Sequence, residues 1–190
     1  MIRKAQLADV PVIGQIINDC AEYGLMLPRP LSALYENVRD FHVATQDNRV
    51  IGVCGLAVVW ANLAEIYSLA ITPSFRFHGW GKQLASACIE EARKLGIRKV
   101  MVLTYEQQFF LNMGFSLIDR QKLPLKVWNE CLRCPKNQAC DEIAMLKVLE
   151  DIPELQSPRP DSTDSEQYSV PIVRKNGRQT PKSSQNEETQ

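Results

Sequence analysis

The sequence predicts an α/β fold, and two observations carry that prediction. Runs rich in β-favouring residues alternate with amphipathic helical runs over residues 1–150. Near the middle, a β-favouring run at 65–71 leads through a glycine-containing loop at 76–82 into an amphipathic helix. About 150 residues are enough to bury one core. We therefore expect a single α/β domain at residues 1–150.

The first expected elements are a strand and a helix. Residues Ile2 to Gln6 favour the strand. Asp9 can N-cap the helix, with Pro11 in its first turn, where the missing proline N–H is not needed. The expected apolar side of this helix consists of Val12, Ile13, Ile16, Ile17 and Cys20.

A second helix and a hairpin are expected next. The helix runs from about Ser32 to Arg39. Two strands follow, Phe41 to Thr45 and Val50 to Trp60, joined by the polar turn at 46–49. Two apolar runs separated by a short polar turn are typical of a β-hairpin.

The central strand and the helix after the loop have the clearest boundaries. Residues 64–71 form the expected strand, and Pro73 stops it because proline cannot donate to a ladder. The helix lies between Lys82 and Leu95, and Gly96 supplies a left-handed stop. Its expected buried face consists of Leu84, Cys88, Ala92 and Leu95. A strand at 97–103 and a short helix at 106–113 complete this part.

The loop at 76–82 has the composition of an anion site. Gly79 and Gly81 lack a Cβ, so their peptide groups can turn sharply and approach a ligand closely. The first amides of the following helix have no internal partner and suit an anion. Arg76 and Lys82 add positive charge, and arginine can bond two phosphate oxygens at once. These features suit a pyrophosphate, and an ordinary turn, which most such glycine pairs form, is the alternative.

The loop resembles the Arg-x-x-Gly-x-Gly/Ala pyrophosphate loop of the GCN5-related N-acetyltransferases (GNAT), which bind acetyl-CoA. The resemblance covers residues 1–149 and includes Glu65 on the preceding strand and the closing pair at 114–115. It implies the GNAT fold, a mixed central sheet splayed at the acetyl-CoA strand with helices on both faces. The cofactor residues that it implies are Leu69, Ala70, Ile71, Arg76, Phe77, His78, Gly79, Trp80, Gly81 and Lys82.

The resemblance also indicates a general base. Glu65 lies where several family members carry one, and we expect residues 65, 67, 69 and 71 to share one face of the strand. The alternative is a strand-end carboxylate held in an ion pair.

The general acid of many family members is absent here. They place a tyrosine on the short helix, whereas this chain has Phe109 and Phe110. Tyr105 or solvent can supply the proton instead, or no acid is needed, because a thiolate is a tolerable leaving group near pH 7. Tyr105 as a packing residue is the alternative.

A narrower resemblance indicates the acceptor. The segments 27–29, 103–110, 123–128 and 131–142 are similar to the short single-domain bacterial N-acetylglutamate synthases. This implies acetylation of L-glutamate, the first step of arginine biosynthesis. Glutamate carries two carboxylates, and Arg29 and Lys126 are the candidate partners for them.

One residue departs from that pattern. Tyr67 stands where those synthases usually have an arginine. Either Tyr67 bonds the acceptor carboxylate, or the acceptor is another amino acid such as glutamine. Two alternatives remain: an acetyltransferase for another small amine or a peptide N-terminus, and a non-catalytic acetyl-CoA sensor.

Composition limits the partners and the location. The chain has 22 basic and 22 acidic residues, which argues against nucleic acid and membrane partners. No apolar run approaches the length of about 20 residues that spans a bilayer, and no export signal is evident, so we expect a cytoplasmic protein. Residues 151–190 are rich in proline and polar residues and are expected to form a disordered tail. Whether the protein is a homodimer is left open.

The six cysteines fall into two groups. Cys20, Cys54 and Cys88 lie in apolar stretches and are expected to pack as reduced, small apolar side chains. The other three, in one segment, are Cys131, Cys134 and Cys140. They can hold zinc with a fourth ligand or brace a loop as free thiols; we expect no metal, because structural zinc takes four protein ligands.

Overall fold

The computed structural model describes residues 1–119, 123 and 141–154. These residues form one seven-stranded sheet in the order β1-β2-β3-β4-β5-β7-β6. Only β4 and β5 pair in parallel, so the sheet is mixed. The strands are β1 (Ile2–Lys4), β2 (Phe41–Gln46), β3 (Arg49–Trp60), β4 (Leu63–Ile71), β5 (Lys99–Thr104), β6 (Ser116–Leu117) and β7 (Ile143–Val148). The α-helices in the described residues are α1 (Val10–Glu22), α2 (Leu31–Glu36), α3 (Trp80–Lys94) and α4 (Gln107–Leu111).

The predicted elements are present, with shifted ends. The β2–β3 hairpin turns through Asp47 and Asn48, whose φ angles of 50° and 60° are both left-handed. Two such residues match the strand twist of a two-residue hairpin. The second helix is shorter than predicted: Asn37 leaves the helical conformation, with φ of −107° and ψ of 20°, and its side-chain amide donates to the Ala33 carbonyl at 2.8 Å. A 3₁₀ turn, Val38–Asp40, follows.

The core lies on both faces of the sheet. One cluster packs α3 against β3, β4 and β5, and the other packs α1 and α2 against β2 and β3. Val12 and Leu95, both predicted to be buried, are 39% and 56% exposed. Val12 lies about 100° around α1 from buried Ile13. Leu95 follows the last helical residue, and Ile97 fills the core position there after the Gly96 turn.

The side chain of Asp9 does not cap α1 as predicted. Its carboxylate accepts hydrogen bonds from the Gln6 backbone N–H at 2.8 Å and from both terminal nitrogens of Arg3 at 2.6 and 2.9 Å. Asp9 closes a short 3₁₀ turn directly before α1, which points its side chain back towards β1 rather than at the helix amides. The arginine bonds lower the pKa of Asp9.

The sheet splays between β4 and β5. The two strands pair only from Leu63–Lys99 to Ile66–Val102, although β4 continues to Ile71. The predicted splay of the acetyl-CoA strand is therefore present, and the far half of β4 faces an opening. This geometry places a length of strand backbone where a ligand can pair with it.

The last described residues pack on α3 and on the segment that follows it. Asp151 bonds Arg93 at 2.8 Å, and the Ile152 carbonyl accepts from Arg98. Residues 155–190, most of the predicted tail, lie outside the described part. Among the described residues, none of the helices has the length and apolar character needed to cross a bilayer.

Candidate active site

A β-bulge in β4 forms the centre of the candidate site. Across the β3–β4 ladder, Val53 pairs with Ala70 and Gly55 pairs with Tyr67, so β4 carries one more residue than β3 in this interval. Ser68, with φ of 49°, is inside it. A bulge bends the strand and leaves a residue out of the ladder. Here it coincides with the end of β4–β5 pairing.

The bulge reverses the faces of β4. Before it, Ile66 packs in the α3 cluster and Tyr67 in the α1 cluster; after it, Leu69 and Ile71 join the α3 cluster and Ala70 the α1 cluster. The prediction that residues 65, 67, 69 and 71 share one face is therefore wrong. Strict alternation holds only without an extra residue, so 65 and 67 share one face while 69 and 71 occupy the other.

The predicted pyrophosphate loop lies between the end of β4 and the start of α3. Phe77 and Gly79 both have left-handed φ angles, 65° and 81°, and the Phe77 side chain is fully exposed. Arg76 turns back from the loop, and its Nε donates to the Ile71 carbonyl at 3.1 Å. His78 Nδ1 lies 2.7 Å from the Arg76 carbonyl oxygen. Arg76 thus ties the loop to the end of β4.

The loop leaves room for a ligand at the N-terminus of α3. A Cβ at Gly79 would meet nothing within 4 Å, and one at Gly81 would lie no closer than 3.7 Å to the Phe109 ring. Packing in the described residues therefore does not require glycine at position 81. The open amides of the first turn, with Lys82 beside them, fit a pyrophosphate. Leu69, Ala70 and Ile71 lie along the opening of the sheet, where backbone can pair with an extended ligand arm.

Phe110, at the position where many family members have a tyrosine, is a core residue without a hydroxyl. It is buried at 3% exposure and packs edge-to-face on Phe109 and Phe115. Tyr105 directly follows β5 and is half-buried. Glu65 is also half-buried and lies opposite Met101 in the parallel β4–β5 ladder, upstream of the splay. The roles of Tyr105 and Glu65 stay predictions.

Arg29 and Tyr67, both predicted to bind the acceptor, meet at the bulge. The Arg29 guanidinium carbon lies 4.5 Å from the Tyr67 ring centroid, and its Nε donates to Ser68 Oγ at 3.0 Å. Asn18 fixes the Arg29 backbone by accepting from its N–H at 2.8 Å and donating to its carbonyl at 3.1 Å. Arg29 is therefore anchored at backbone and side chain beside the opening. Lys126, the third predicted acceptor residue, lies outside the described residues.

The Tyr67 hydroxyl has a partner within the protein. It donates to Asp40 Oδ2 at 3.0 Å, and its ring lies against Phe41 and Gly55. A Cβ at Gly55 would come within 2.6 Å of the ring, so this glycine allows the close approach. Burial raises the pKa of Asp40, and the Tyr67 hydrogen bond opposes that rise.

Sequence reasoning missed Asp40 and Ser68. Asp40 lies 27 positions before Tyr67, and no motif connects the two. Ser68 reaches Arg29 only because of the bulge. Because its hydroxyl bonds Asp40 and its ring centroid lies 4.5 Å from the Arg29 guanidinium carbon, Tyr67 offers Arg29 a ring to stack on in the described part of the site.

Three of the six cysteines lie in the described part of the chain. Cys20, Cys54 and Cys88 are free and buried, which confirms their predicted packing. Cys131, Cys134 and Cys140 lie outside the described residues. Within the part of the chain that the structure describes, no three or more His, Cys, Asp or Glu side chains are grouped to hold a metal ion.

The chain matches a known family and several known proteins. The model of the acetyltransferase (GNAT) family matches residues 14–115. An uncharacterized N-acetyltransferase of Chlorobaculum tepidum is 41% identical over 148 residues, covering 78% of this chain and 96% of the relative. An amino-acid acetyltransferase of Mycobacterium tuberculosis is 34% identical over 136 residues, covering 70% of this chain and 78% of the relative.

Two solved structures are similar in fold. A Mycobacterium tuberculosis protein crystallised with CoA and the ligand NLQ has a TM-score of 0.69 and 31% identity, covering 78% of this chain and 99% of that one. N-acetylglutamate synthase of Neisseria gonorrhoeae, crystallised with CoA and N-acetyl-glutamate, has a TM-score of 0.71. It is 24% identical and covers 78% of this chain and 35% of that one, so it supports the fold alone.

Proposed function

Because the chain belongs to the acetyltransferase (GNAT) family, we propose that it transfers the acetyl group of acetyl-CoA to the α-amino group of an amino acid, with L-glutamate as the acceptor. The family and its GNAT fold make the chain an acetyl-CoA-dependent N-acetyltransferase. The proposal adds the acceptor and the residues that act on it.

One observation carries the amino-acid acceptor. Arg29 is held by Asn18, Ser68 and the Tyr67 ring at the point where β4 leaves β5. Two of these contacts hold the guanidinium, the Ser68 bond and the Tyr67 ring, and Asn18 holds the backbone, so the side chain has little rotamer freedom left to lose when a carboxylate binds. A single anchored cation beside the opening suits an acceptor that carries a carboxylate near its amine. The relative named amino-acid acetyltransferase supports the same class of acceptor.

The described residues divide the work as follows. Acetyl-CoA supplies the acetyl group as an activated thioester. The amides at the start of α3 and the backbone at 69–71 bind and orient the donor. Arg29 binds the acceptor carboxylate, and Lys126 is assigned to the second carboxylate of glutamate. Glu65 accepts a proton from the acceptor ammonium, which frees the amine to attack.

A proton must also reach the departing sulfur. We assign this step to Tyr105, at the end of β5, because the family's usual position carries Phe110, which has no hydroxyl. We place the reaction in the cytoplasm, at the first step of arginine biosynthesis, on the resemblance to N-acetylglutamate synthases.

A second acceptor is favoured by one contact. The Tyr67 hydroxyl bonds Asp40, so this position contributes no positive charge where those synthases usually have an arginine. An acceptor with one carboxylate, such as glutamine, requires one cation fewer than glutamate. Glutamate and glutamine differ by that one charge and are close in size, which makes them a direct comparison.

The deciding experiment measures CoA release by the purified protein with acetyl-CoA and each of the twenty amino acids. Selective turnover of glutamate supports the proposal, and selective turnover of glutamine supports the second acceptor. Silence with all twenty, together with retained acetyl-CoA binding, points to a different amine or to a sensor and refutes the proposal.

A variant pair tests the role of Arg29. Arg29→Gln should raise the KM of the amino acid by about 10–100-fold, since a hydrogen bond to a charged group is worth about 1.5–3 kcal/mol. The KM of acetyl-CoA should stay close to the wild-type value. Arg49→Gln, at the exposed β2–β3 turn, is the matched control and should change neither constant.

A further inference from the structure

A row of titratable side chains runs beneath α3, and the proposed function uses none of them. Cys54 on β3 and Cys88 on α3 have their Sγ atoms 3.5 Å apart. Cys88 Sγ lies 3.6 Å from His42 Nδ1. His42 Nδ1 lies 3.5 Å from Glu91 Oε2, and both oxygens of Glu91 accept from Lys4 Nζ at 2.8 Å. We call these five residues the thiol row.

The thiol row adds titratable neighbours to the buried packing of the two cysteines. Two cysteines that merely fill space need no titratable neighbour, whereas here an imidazole contacts one thiol and a carboxylate contacts the imidazole. Both thiols are fully buried, and the row reaches solvent at Glu91 and Lys4, whose side chains are 28% and 41% exposed. A proton lost from Cys88 therefore has a path through His42 and Glu91 to the surface.

The two thiols are not equivalent. Hydrogen bonds from Cys54 and His42 lower the pKa of Cys88 to about 6, while the hydrogen bond with Cys88 and burial raise the pKa of Cys54. The thiolate is the nucleophilic form of cysteine. Because His42 Nδ1 contacts the Cys88 sulfur, we assign Cys88 the first reaction with an electrophile, and Cys54, 3.5 Å away, the second.

We propose that Cys54 and Cys88 are a modification site that a peroxide converts to an intramolecular disulfide. The Cys88 thiolate attacks one oxygen of hydrogen peroxide, the O–O bond breaks, and the released hydroxide takes a proton to leave as water. Cys88 is then a sulfenic acid. Cys54 sulfur attacks the Cys88 sulfur, the S–O bond breaks, and a second water leaves with the Cys54 proton. Two thiols are oxidised and one peroxide is reduced to two waters.

The disulfide changes the position of α3. The S–S bond is about 2.05 Å long, so the sulfurs must approach by about 1.5 Å from their 3.5 Å separation. Cys88 lies on α3, about two turns after Trp80, where the helix follows the proposed acetyl-CoA loop at 76–82 (the donor loop). Drawing this part of α3 towards β3 moves the amides at its N-terminus. We expect the oxidised protein to bind acetyl-CoA more weakly, and this consequence rests on the proposed donor site.

The first test follows the sulfurs directly. The full-length protein is treated with hydrogen peroxide, its remaining thiols are alkylated under denaturing conditions, and an unreduced digest is mapped by mass spectrometry. The expected product is a peptide pair joined through Cys54 and Cys88, lighter by two hydrogens and separated by dithiothreitol. Recovery of both residues as alkylated thiols, or a disulfide that joins other cysteines instead, overturns the proposal.

Variants separate the order of reaction. Cys54→Ala should stop at a Cys88 sulfenic acid, which a dimedone probe added with denaturant traps because the buried side chain is then exposed, whereas Cys88→Ala should leave Cys54 unmodified. Cys20→Ala, another buried cysteine outside the row, is the matched control and should form the disulfide as the wild type does. His42→Gln should slow disulfide formation about tenfold at pH 7, because it removes the imidazole that contacts Cys88 and favours its thiolate, the nucleophilic form. A rate unchanged by His42→Gln refutes the role of the row.

A separate experiment tests whether disulfide formation weakens acetyl-CoA binding. Acetyl-CoA binding is measured by calorimetry on reduced, oxidised and re-reduced protein. Reversible weakening on oxidation supports the coupling to α3. A mapped disulfide with unchanged acetyl-CoA binding refutes the coupling, and failure to acetylate any amino acid refutes the proposed function without touching the modification site.

Discussion

Two glycines at opposite ends of α3 allow a matched test of the donor loop. Gly79 has φ of 81° and Gly96 has φ of 73°, and a Cβ at either would meet nothing within 4 Å. Alanine at either position therefore adds no clash, only the cost of a left-handed backbone, about 1–2 kcal/mol. The two sites differ in what holds them in that conformation.

That difference decides where the cost is observed. The Gly96 N–H donates to the Arg93 carbonyl, and the next residue, Ile97, is buried and donates its N–H to the Ala92 carbonyl. These contacts hold the turn in place, so Gly96→Ala should lower the free energy of unfolding. The loop before Gly79 is largely exposed, and the Phe77 side chain within it is fully exposed. Gly79→Ala can relax in the free protein and must then return to the left-handed form to bind the donor.

The expected results are opposite for the two variants. Gly79→Ala should raise the KM and the dissociation constant of acetyl-CoA by about 5–30-fold, the equivalent of 1–2 kcal/mol, with little change in Tm. Gly96→Ala should lower Tm by about 2–8 °C, at about 2–4 °C per kcal/mol, with acetyl-CoA affinity unchanged. Steady-state kinetics, calorimetry and thermal unfolding measure these quantities. If Gly79→Ala binds acetyl-CoA like the wild type while Gly96→Ala is destabilised, the loop does not hold the donor.

Three further predictions concern single side chains. Tyr67→Phe keeps the ring beneath Arg29 and should leave the KM of the amino acid within about twofold of the wild-type value. Tyr67→Ala should raise that KM by a further factor of about 2–5, because it removes a cation–π contact worth about 0.5–1 kcal/mol. Equal effects of the two variants on the KM of the amino acid would make the hydroxyl, not the ring, the important group. Glu65→Gln should lower kcat by about 10²–10⁴-fold at neutral pH while acetyl-CoA affinity in calorimetry stays nearly intact, and unchanged turnover would remove Glu65 as the base. Arg3 lowers the pKa of Asp9, so this carboxylate stabilises the fold above its ordinary pKa of about 3.9, and the contribution is lost as pH falls through the depressed value. In urea titrations between pH 7 and pH 2.5, Asp9→Asn should therefore be less stable than the wild type at neutral pH and lose less stability on acidification; parallel curves for the two proteins would contradict that linkage.

Local chain preferences determined most of what the sequence predicted. The strand, glycine loop and helix around residues 64–96 are encoded by β-favouring residues, Pro73, left-handed glycines and an apolar stripe, all of which act within a few positions. The hairpin at Asp47 and Asn48 is equally local. The family resemblance then added the splay of β4 from β5, which periodicity alone does not predict.

Tertiary structure alone decided the details of the site. The bulge at Ser68 depends on the register between β3 and β4, and this one extra residue places Tyr67 and Leu69 on opposite faces, against the alternation that the sequence predicts. Phe77 has a left-handed φ, and the sequence does not predict it because phenylalanine rarely adopts that conformation.

The contacts that define both proposals join residues far apart in the chain. Tyr67 meets Asp40 across 27 positions, and Cys54 meets Cys88 across 34. Such pairs arise from how strands align and how α3 packs on the sheet, and a single sequence carries no local preference that specifies them. The sequence by itself determined the elements and the glycine loop before α3, and only the packed sheet decided which side chains face one another, because strand register and helix docking are non-local.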